Sequence, residues 1–392
     1  MFIDAEDMAL SDPISLIVRS LESIIDGNGL SSLEGAGIKH FDQLSPRGSY
    51  SRRPMALVDD FHINAEVRGI FDHYRNISEQ FYPQINATTL VDAYVAGQGT
   101  VVTRNGLLIE ESAIEYLAHR QVPDGFCHGQ ADQTFAFAHP PSTPVEAPCI
   151  LVKRPWYRNY GHWLVDNATI LAYFAQQIET KQLTIMVGAN ESEIQRNIVQ
   201  ETIRKICPGA SVIEMPDNVT WRFSNLLYVT PLHRPPMIKW PPAMTKLKDA
   251  FVESRVQMNH GERLYLSRAD VKTRTLANED ALKDLFDQFG FRTVFTSGMS
   301  LAEQAQLFSS AEVIMGVKGA ALANLVFCQP EATAICLSPG DFIDPFFWDV
   351  AGQIGMTYAE IFGRVVTNHP VGRNDFVIEP ERLERALTTL LG

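Results

Sequence analysis

Apolar positions along this chain fall into two regimes. Between about 90 and 152 they come in short runs: Thr89-Leu90-Val91, Thr100-Val101-Val102, Gly106-Leu107-Leu108-Ile109 and Cys149-Ile150-Leu151-Val152. These read as strands of a β-rich N-terminal portion. After Arg154 such runs alternate with helical periods. Strands are expected over 183–187, 211–214 and 226–230, with helices starting near Tyr160 and spanning 191–206. The same alternation resumes as a helix over 245–258, a strand over 263–267, a helix over 278–289 capped by Asn278, and a strand over 292–295. A helix then opens on the capping box Ser300-Leu301-Ala302-Glu303. Strands over 313–315, 334–337 and 358–362 follow, with helices after Pro345 and over 379–391. This is the pattern of parallel, doubly wound sheets.

Ahead of the strands, residues 11–27 carry Ile14, Ile17, Val18, Leu21 and Ile24 at helical spacing after Asp12 and Pro13, and Gly27 closes the run. The expectation is an amphipathic helix that packs on the body of the protein or on a second copy, as in a homo-oligomer, in preference to attaching to a membrane. Residues 28–60, rich in Ser, Gly, Pro and Arg, read as loop. The stretch PLHRPPMIKWPPAM holds five prolines in 231–242, too many for the interior of a helix or strand, and reads as a linker. The chain therefore divides into an N-terminal helix and irregular extension over 1–90, a domain over 91–232, a Pro-rich linker over 233–244 and a domain over 245–392. Two α/β halves on a proline hinge would place a ligand crevice between them, at the carboxyl ends of the strands.

Composition narrows the classes of partner. The 392 residues exceed one ordinary core. A net charge of −13 argues against nucleic acid as the main partner. Cys127, Cys149, Cys207, Cys328 and Cys336 are odd in number and lack paired spacing, so they read as reduced thiols of a cytoplasmic protein. The acidic start MFIDAEDMAL lacks the basic region of an export signal. No apolar run reaches the ~18 residues of a transmembrane segment. The sequons at Asn76, Asn86, Asn167 and Asn218 then read as chance matches.

Chemistry gathers in three places. His162 and Asp166 stand four apart in a helix start, so an imidazole and a carboxylate share one face and make a general-base pair in either assignment. Arg268 and Arg274 follow the 263–267 strand, with Lys272 between them, where guanidinium groups could clamp phosphate oxygens. The third place is EVIMGVKGAALANLVF over 312–327: a strand, a turn with Gly316 and Gly319, a small-residue helix, and Lys318 as a mobile cation. Amides at such a turn suit an anion such as a diphosphate. No G-K-[ST] follows and the three-glycine dinucleotide pattern is missing, so this is neither a P-loop nor a dinucleotide fingerprint. Asp59-Asp60 and Asp341/Asp344 lack metal-ligand spacing, so no metal is expected and a leaving diphosphate would be met by amides and Arg/Lys.

Three blocks in order resemble glycosyltransferase family 61, which includes bacterial capsular polysaccharide biosynthesis proteins. They are Asn159-Tyr160-Gly161-His162-Trp163-Leu164-Val165-Asp166, then Tyr265-Leu266-Ser267-Arg268 through Arg274 to Asn278-Glu279, then 316–324 with Phe327-Cys328. Phe346-Phe347-Trp348 is a weaker echo, and the resemblance covers roughly 149–362. It implies a GT-B arrangement of two Rossmann-like domains and metal-independent, inverting transfer from a nucleotide sugar to a surface polysaccharide or related glycan. On that resemblance the 245–392 domain holds the donor. Arg268, Arg274, Lys318 and the Gly319-Ala320-Ala321 turn take the diphosphate, and Asn324 supports the turn. The 91–232 domain offers the acceptor to His162 and Asp166. The family commonly has His where this chain has Lys318, which removes any role specific to imidazole there. Peripheral association with membrane glycan assembly fits such a function without any motif for it. Two rival readings are a nucleotide-sugar epimerase or other Rossmann oxidoreductase, and a catalytically silent carbohydrate- or nucleotide-binding subunit.

Overall fold

The computed structural model describes residues 15–26, 29–113, 121–129, 134–234, 237–252 and 259–392. It is a mixed α/β protein with two compact units. One comprises the chain up to Gly48 together with Pro83–His233, and the other Ser49–Tyr82 together with Arg234–Gly392.

The first unit holds two sheets. The seven-stranded one runs Phe126–His128, Thr134–Phe137, Ser15–Arg19, Leu107–Ile109, Thr100–Val102, Ala93–Ala96, Trp221–Phe223. Its pairs are antiparallel except for Ser15–Arg19 beside Leu107–Ile109. The six-stranded one runs Val212–Met215, Thr184–Gly188, Cys149–Val152, Leu226–Val229, Ile85–Leu90, Ile38–Ser45. Its first four strands are parallel. Cys149–Val152 and Thr184–Gly188 are buried along their whole length, as strands covered on both faces must be. Helices Ala168–Thr180 and Glu193–Ile206 make the crossovers. Taken in chain order the parallel strands lie 3-2-1-4, half of a doubly wound sheet, and the order reverses between Cys149–Val152 and Leu226–Val229.

In the second unit the parallel strands run Phe291–Val294, Asn259–Leu266, Ala311–Val317, Thr333–Pro339, Thr357–Val365. Their chain order is 2-1-3-4-5, so this sheet reverses between Asn259–Leu266 and Ala311–Val317. Leu57–Asp59 adds a further parallel strand beside Thr357–Val365. The Ser49–Tyr82 segment is fastened by Arg52, whose guanidinium stacks 3.5 Å from the Trp348 ring and donates to the carbonyls of Tyr74 and Ile77.

Several expected elements take a different form. The helix over 11–27 is instead a strand, Ser15–Arg19, followed by the short helix Leu21–Asp26, while Asp12, Pro13, Ile14 and Gly27 lie outside the described residues. Leu16 is fully buried and Ile17 is 47% exposed, so the alternation of a strand, paired on both edges, overrides the helical spacing. The loop expected over 28–60 contains Ile38–Ser45, whose largely solvent-facing pattern concealed an edge strand. The proline stretch ends inside a helix, Pro241–Phe251, with proline at its first positions, where the missing N–H costs nothing. The last residues of the helix expected over 245–258 lie outside the described residues. The Asn278 side chain accepts no capping bond from the helix start. It bonds the backbone of Ile378 in both directions, and the helix behind it opens as a 3₁₀ turn, Glu279–Leu282.

Candidate functional site

In each unit the residues of chemical interest stand at the carboxyl ends of the two strands where the sheet order reverses. In the first unit the chain leaves Cys149–Val152 through Lys153 and Arg154 and reaches Asn159, whose carboxamide oxygen accepts from the amides of Gly161 and His162 at 2.9 and 3.4 Å. That cap starts Tyr160–His162, which widens into a π-turn, Trp163–Asn167, before Ala168–Thr180 continues as α-helix. Such turns are frequent at functional sites. Asn167 accepts from the Arg154 amide at 2.9 Å and donates to the His162 carbonyl at 3.0 Å, so the helix start is pinned to the strand exit. The buried Arg154 side chain donates to the carbonyl of Val229, which ties the two strand exits together.

Here Nδ1 of His162 donates to Oδ2 of Asp166 at 2.7 Å. From the other side Nε2 of His233 approaches Oδ1 of Asp166 to 3.1 Å, within ion-pair reach but out of hydrogen-bond alignment. Asp166 is 2% exposed. Burial works to raise its pKa, but His233 and His162 outweigh it and hold the carboxyl down at about 2. His162 is the partly exposed member, and the indole of Trp156 lies beside it, ring centroids 6.2 Å apart. Trp156 has a positive φ of 64° and is 59% exposed. Its amide is held by Gln98 Oε1 at 2.9 Å. Sequence reasoning missed His233, which lies in the proline stretch taken as linker. Its position four residues past the Leu226–Val229 strand was the available signal.

In the second unit Arg268 leaves the Asn259–Leu266 strand and donates from Nε to the Arg274 carbonyl at 3.2 Å and from Nη2 to the Thr273 carbonyl at 3.1 Å. Its guanidinium lies against Gly319, where a Cβ would come within 2.2 Å of Nη1. Arg274 donates to the carbonyls of Gly372 and Lys318, at 2.6 and 3.1 Å, and packs 4.4 Å from the Phe342 ring. Burial and then the charge of Arg274 push Arg268 down to about 10. Among the described residues neither arginine has a carboxylate within ion-pair distance. Arg268 against Gly319 and Arg274 on the Lys318 carbonyl thus lie together just ahead of the 3₁₀ helix Ala320–Phe327. Glu279 braces the strand exit, accepting from Tyr265 Oη at 2.8 Å and Ser267 Oγ at 2.7 Å. Buried Asn324 donates to Gln304 Oε1 at 2.7 Å and to the Ala321 carbonyl at 3.1 Å, fixing the helix on Leu301–Ser310.

Lys318 departs from expectation. It is not a mobile cation: it is 1% exposed, and its ammonium pairs with Glu360 Oε1 at 2.5 Å and donates to the Asp344 carbonyl at 2.9 Å. The side chain turns inward because Glu360, also buried, needs a counter-charge. What Lys318 presents to Arg274 is its carbonyl.

The family model described as Glycosyltransferase 61 matches residues 160–336, a span that contains His162, Asp166, His233, Arg268, Arg274 and the 316–324 turn. No curated protein matches the chain. Among the described residues no helix is long and apolar enough to cross a membrane.

Proposed function

We propose that the protein is a glycosyltransferase in which the second unit holds a nucleotide-sugar donor and the first activates the acceptor hydroxyl; the match of residues 160–336 to the family 61 model supports this reading. The observation that carries the donor half is Arg268 lying on Gly319 at the sheet reversal, with Arg274 beside it and no carboxylate pairing either guanidinium among the described residues. A diphosphate is the anion such a place suits, because two guanidinium groups and helix-start amides offer more donors than a single carboxylate could accept.

In the acceptor half the pair His162/Asp166 divides its roles by environment. A carboxyl held at about 2 is a weak base, so Asp166 is the orienter and counter-charge. Its hydrogen bond at Nδ1 sets the tautomer with the lone pair on Nε2 of His162. Transfer then runs as one displacement. The acceptor oxygen forms a bond to the anomeric carbon as the bond to the diphosphate oxygen breaks. The hydroxyl proton goes to Nε2 of His162, and the charge left on the diphosphate is met by Arg268, Arg274 and the 319–321 amides. Attack opposite the leaving group inverts the anomeric centre. The residues named perform each step, and the reading is metal-independent. The acceptor in this reading is a growing surface polysaccharide or related glycan.

The test is hydrolysis or transfer with a set of nucleotide sugars, comparing wild type with Arg268→Ala. The variant is expected to lose donor affinity. Equal activity and affinity in the two would remove Arg268 from the diphosphate.

A further inference from the structure

Two buried polar atoms of the first unit lack a hydrogen-bond partner although they face each other: Oδ1 of Asp166 and Nε2 of His233. A carboxylate answered on one oxygen only, beside an imidazole nitrogen out of alignment with the other, is an incomplete arrangement for two groups taken out of water. His162 closes the group, and one ligand atom from each of His162, Asp166 and His233 lies within 4.8 Å of the others. Two imidazole nitrogens and one carboxylate oxygen form the donor set that zinc and its neighbours take, with a fourth position left over for water. Magnesium and calcium prefer all-oxygen shells, so this set selects against them.

We infer that His162, Asp166 and His233 form a binding site for a divalent transition metal of the zinc type. Occupancy has a direct chemical consequence. A metal on the His162 imidazole replaces the proton shared with Asp166 and withdraws electron density from the ring, so the same residue no longer accepts a proton from a hydroxyl. The site is therefore inhibitory: metal and acceptor proton compete for one imidazole. This consequence rests on His162 acting as the base, whereas the metal site itself does not.

The experiment is titration of the full-length, untagged protein, stripped with EDTA, with ZnCl₂ by calorimetry, alongside CoCl₂ followed by its visible ligand-field spectrum. Wild type is expected to take up one equivalent. His233→Gln and Asp166→Asn should weaken the metal by more than about 100-fold, since removing a ligand costs at least what disturbing an outer-sphere partner does. His40→Ala, which removes an exposed histidine paired with Asp42 at 3.0 Å elsewhere in the unit, should bind as wild type does. The melting curve of each variant shows that it is folded, and His233→Gln keeps a polar side chain of similar size. Absence of stoichiometric zinc uptake by wild type, or retention of it in His233→Gln, overturns the site and leaves the histidines as counter-charges of Asp166. Donor turnover measured in EDTA judges the proposed function separately. If turnover in EDTA is present and saturating zinc leaves it intact, the inhibitory consequence fails while the site stands. If turnover in EDTA is absent, the base assignment fails and the consequence falls with it.

Discussion

Nε2 of His233 stands 3.1 Å from Oδ1 of Asp166, although the two belong to segments that follow different strands. The strand order accounts for this. Cys149–Val152 leads to the helix start that carries Asp166, Leu226–Val229 leads to His233, and these strands are parallel neighbours at the point where the sheet reverses. Their exits open side by side, and the Arg154–Val229 bond holds them there. Arg268 and Gly319 stand in the same relation in the second unit.

The depressed pKa of Asp166 makes a statement about stability. A carboxyl whose folded-state value is about 2, against an ordinary value near 4, stabilises the folded protein above pH 4, and that stabilisation is lost as pH falls toward 2. The shift corresponds to about 2 kcal/mol at neutral pH. Asp166→Asn should therefore be less stable than wild type in urea at pH 6 to 7. The gap should narrow steadily once the pH drops below about 4. A gap that stays constant across this range would mean that Asp166 is not held ionised by the two histidines.

If His162 takes the proton, His162→Ala should lower turnover by about 10²- to 10⁴-fold, the usual worth of a general base, with donor affinity unchanged. Asp166→Asn should lower turnover too, by setting the wrong tautomer. Steady-state kinetics with donor and acceptor varied in turn would separate these effects. A fall in donor affinity equal to the fall in rate would place His162 on the donor instead.

Gly319 offers a test of the second unit that leaves the fold alone. Its backbone is extended, so alanine is compatible with the turn, but the new Cβ would come within 2.2 Å of Arg268 Nη1. The obstacle is the end of a long side chain, but moving the guanidinium aside disturbs its bonds to the Thr273 and Arg274 carbonyls, at a stability cost of about 1–3 kcal/mol. Displacing one charge-assisted pair should weaken diphosphate binding by about 10- to 100-fold. Thermal shifts with nucleoside diphosphates measure both quantities on one sample. A variant that binds as wild type does would show that Arg268 need not lie on Gly319 for donor binding.

Lys318 leads to a prediction about stability. Lys318→Ala leaves Glu360 buried without its counter-charge, which should cost about 3–5 kcal/mol. Removing both charges, as Lys318→Met with Glu360→Gln, should recover much of that loss, because Ser338 Oγ still donates to the remaining side-chain oxygen at this position. Urea denaturation of wild type, Lys318→Met, Glu360→Gln and the double variant forms the double-mutant cycle. Strict additivity would mean that the pair does not interact.

The same residues show where sequence reasoning reaches and where it stops. Cys149–Val152 and Thr333–Pro339 were legible because parallel strands buried on both faces are apolar runs, and the capping box at Ser300 and Glu303 is present because it depends on four consecutive residues. His162 and Asp166 could be paired from their spacing alone. His233 could not, since it meets Asp166 only through the strand order, and its proline-rich surroundings suggested a linker. Lys318 was misjudged for a related reason: Glu360, which fixes its direction, arrives from the Thr357–Val365 strand, two strands across the sheet. Ile38–Ser45 was missed because an edge strand with few buried positions carries little periodic signal.

Trp156 sets stability against function. A bulky residue with φ of 64° is strained, by about 1 kcal/mol relative to glycine, and Trp156 is 59% exposed. The place of the ring beside His162 suits it to stack on the apolar face of an acceptor sugar. Trp156→Gly should relieve the strain and raise stability by up to about 1 kcal/mol, net of lost ring contacts and of the greater freedom of the unfolded glycine chain. Transfer to a glycan acceptor should fall while donor hydrolysis persists, because only the acceptor loses its platform. Phenylalanine at the same position keeps a stacking face and the strain, so Trp156→Phe should retain most of the transfer and none of the added stability. If Trp156→Gly transfers as well as wild type, the ring has no part in holding the acceptor, and its strained backbone would serve only to turn the chain between Arg154 and Asn159.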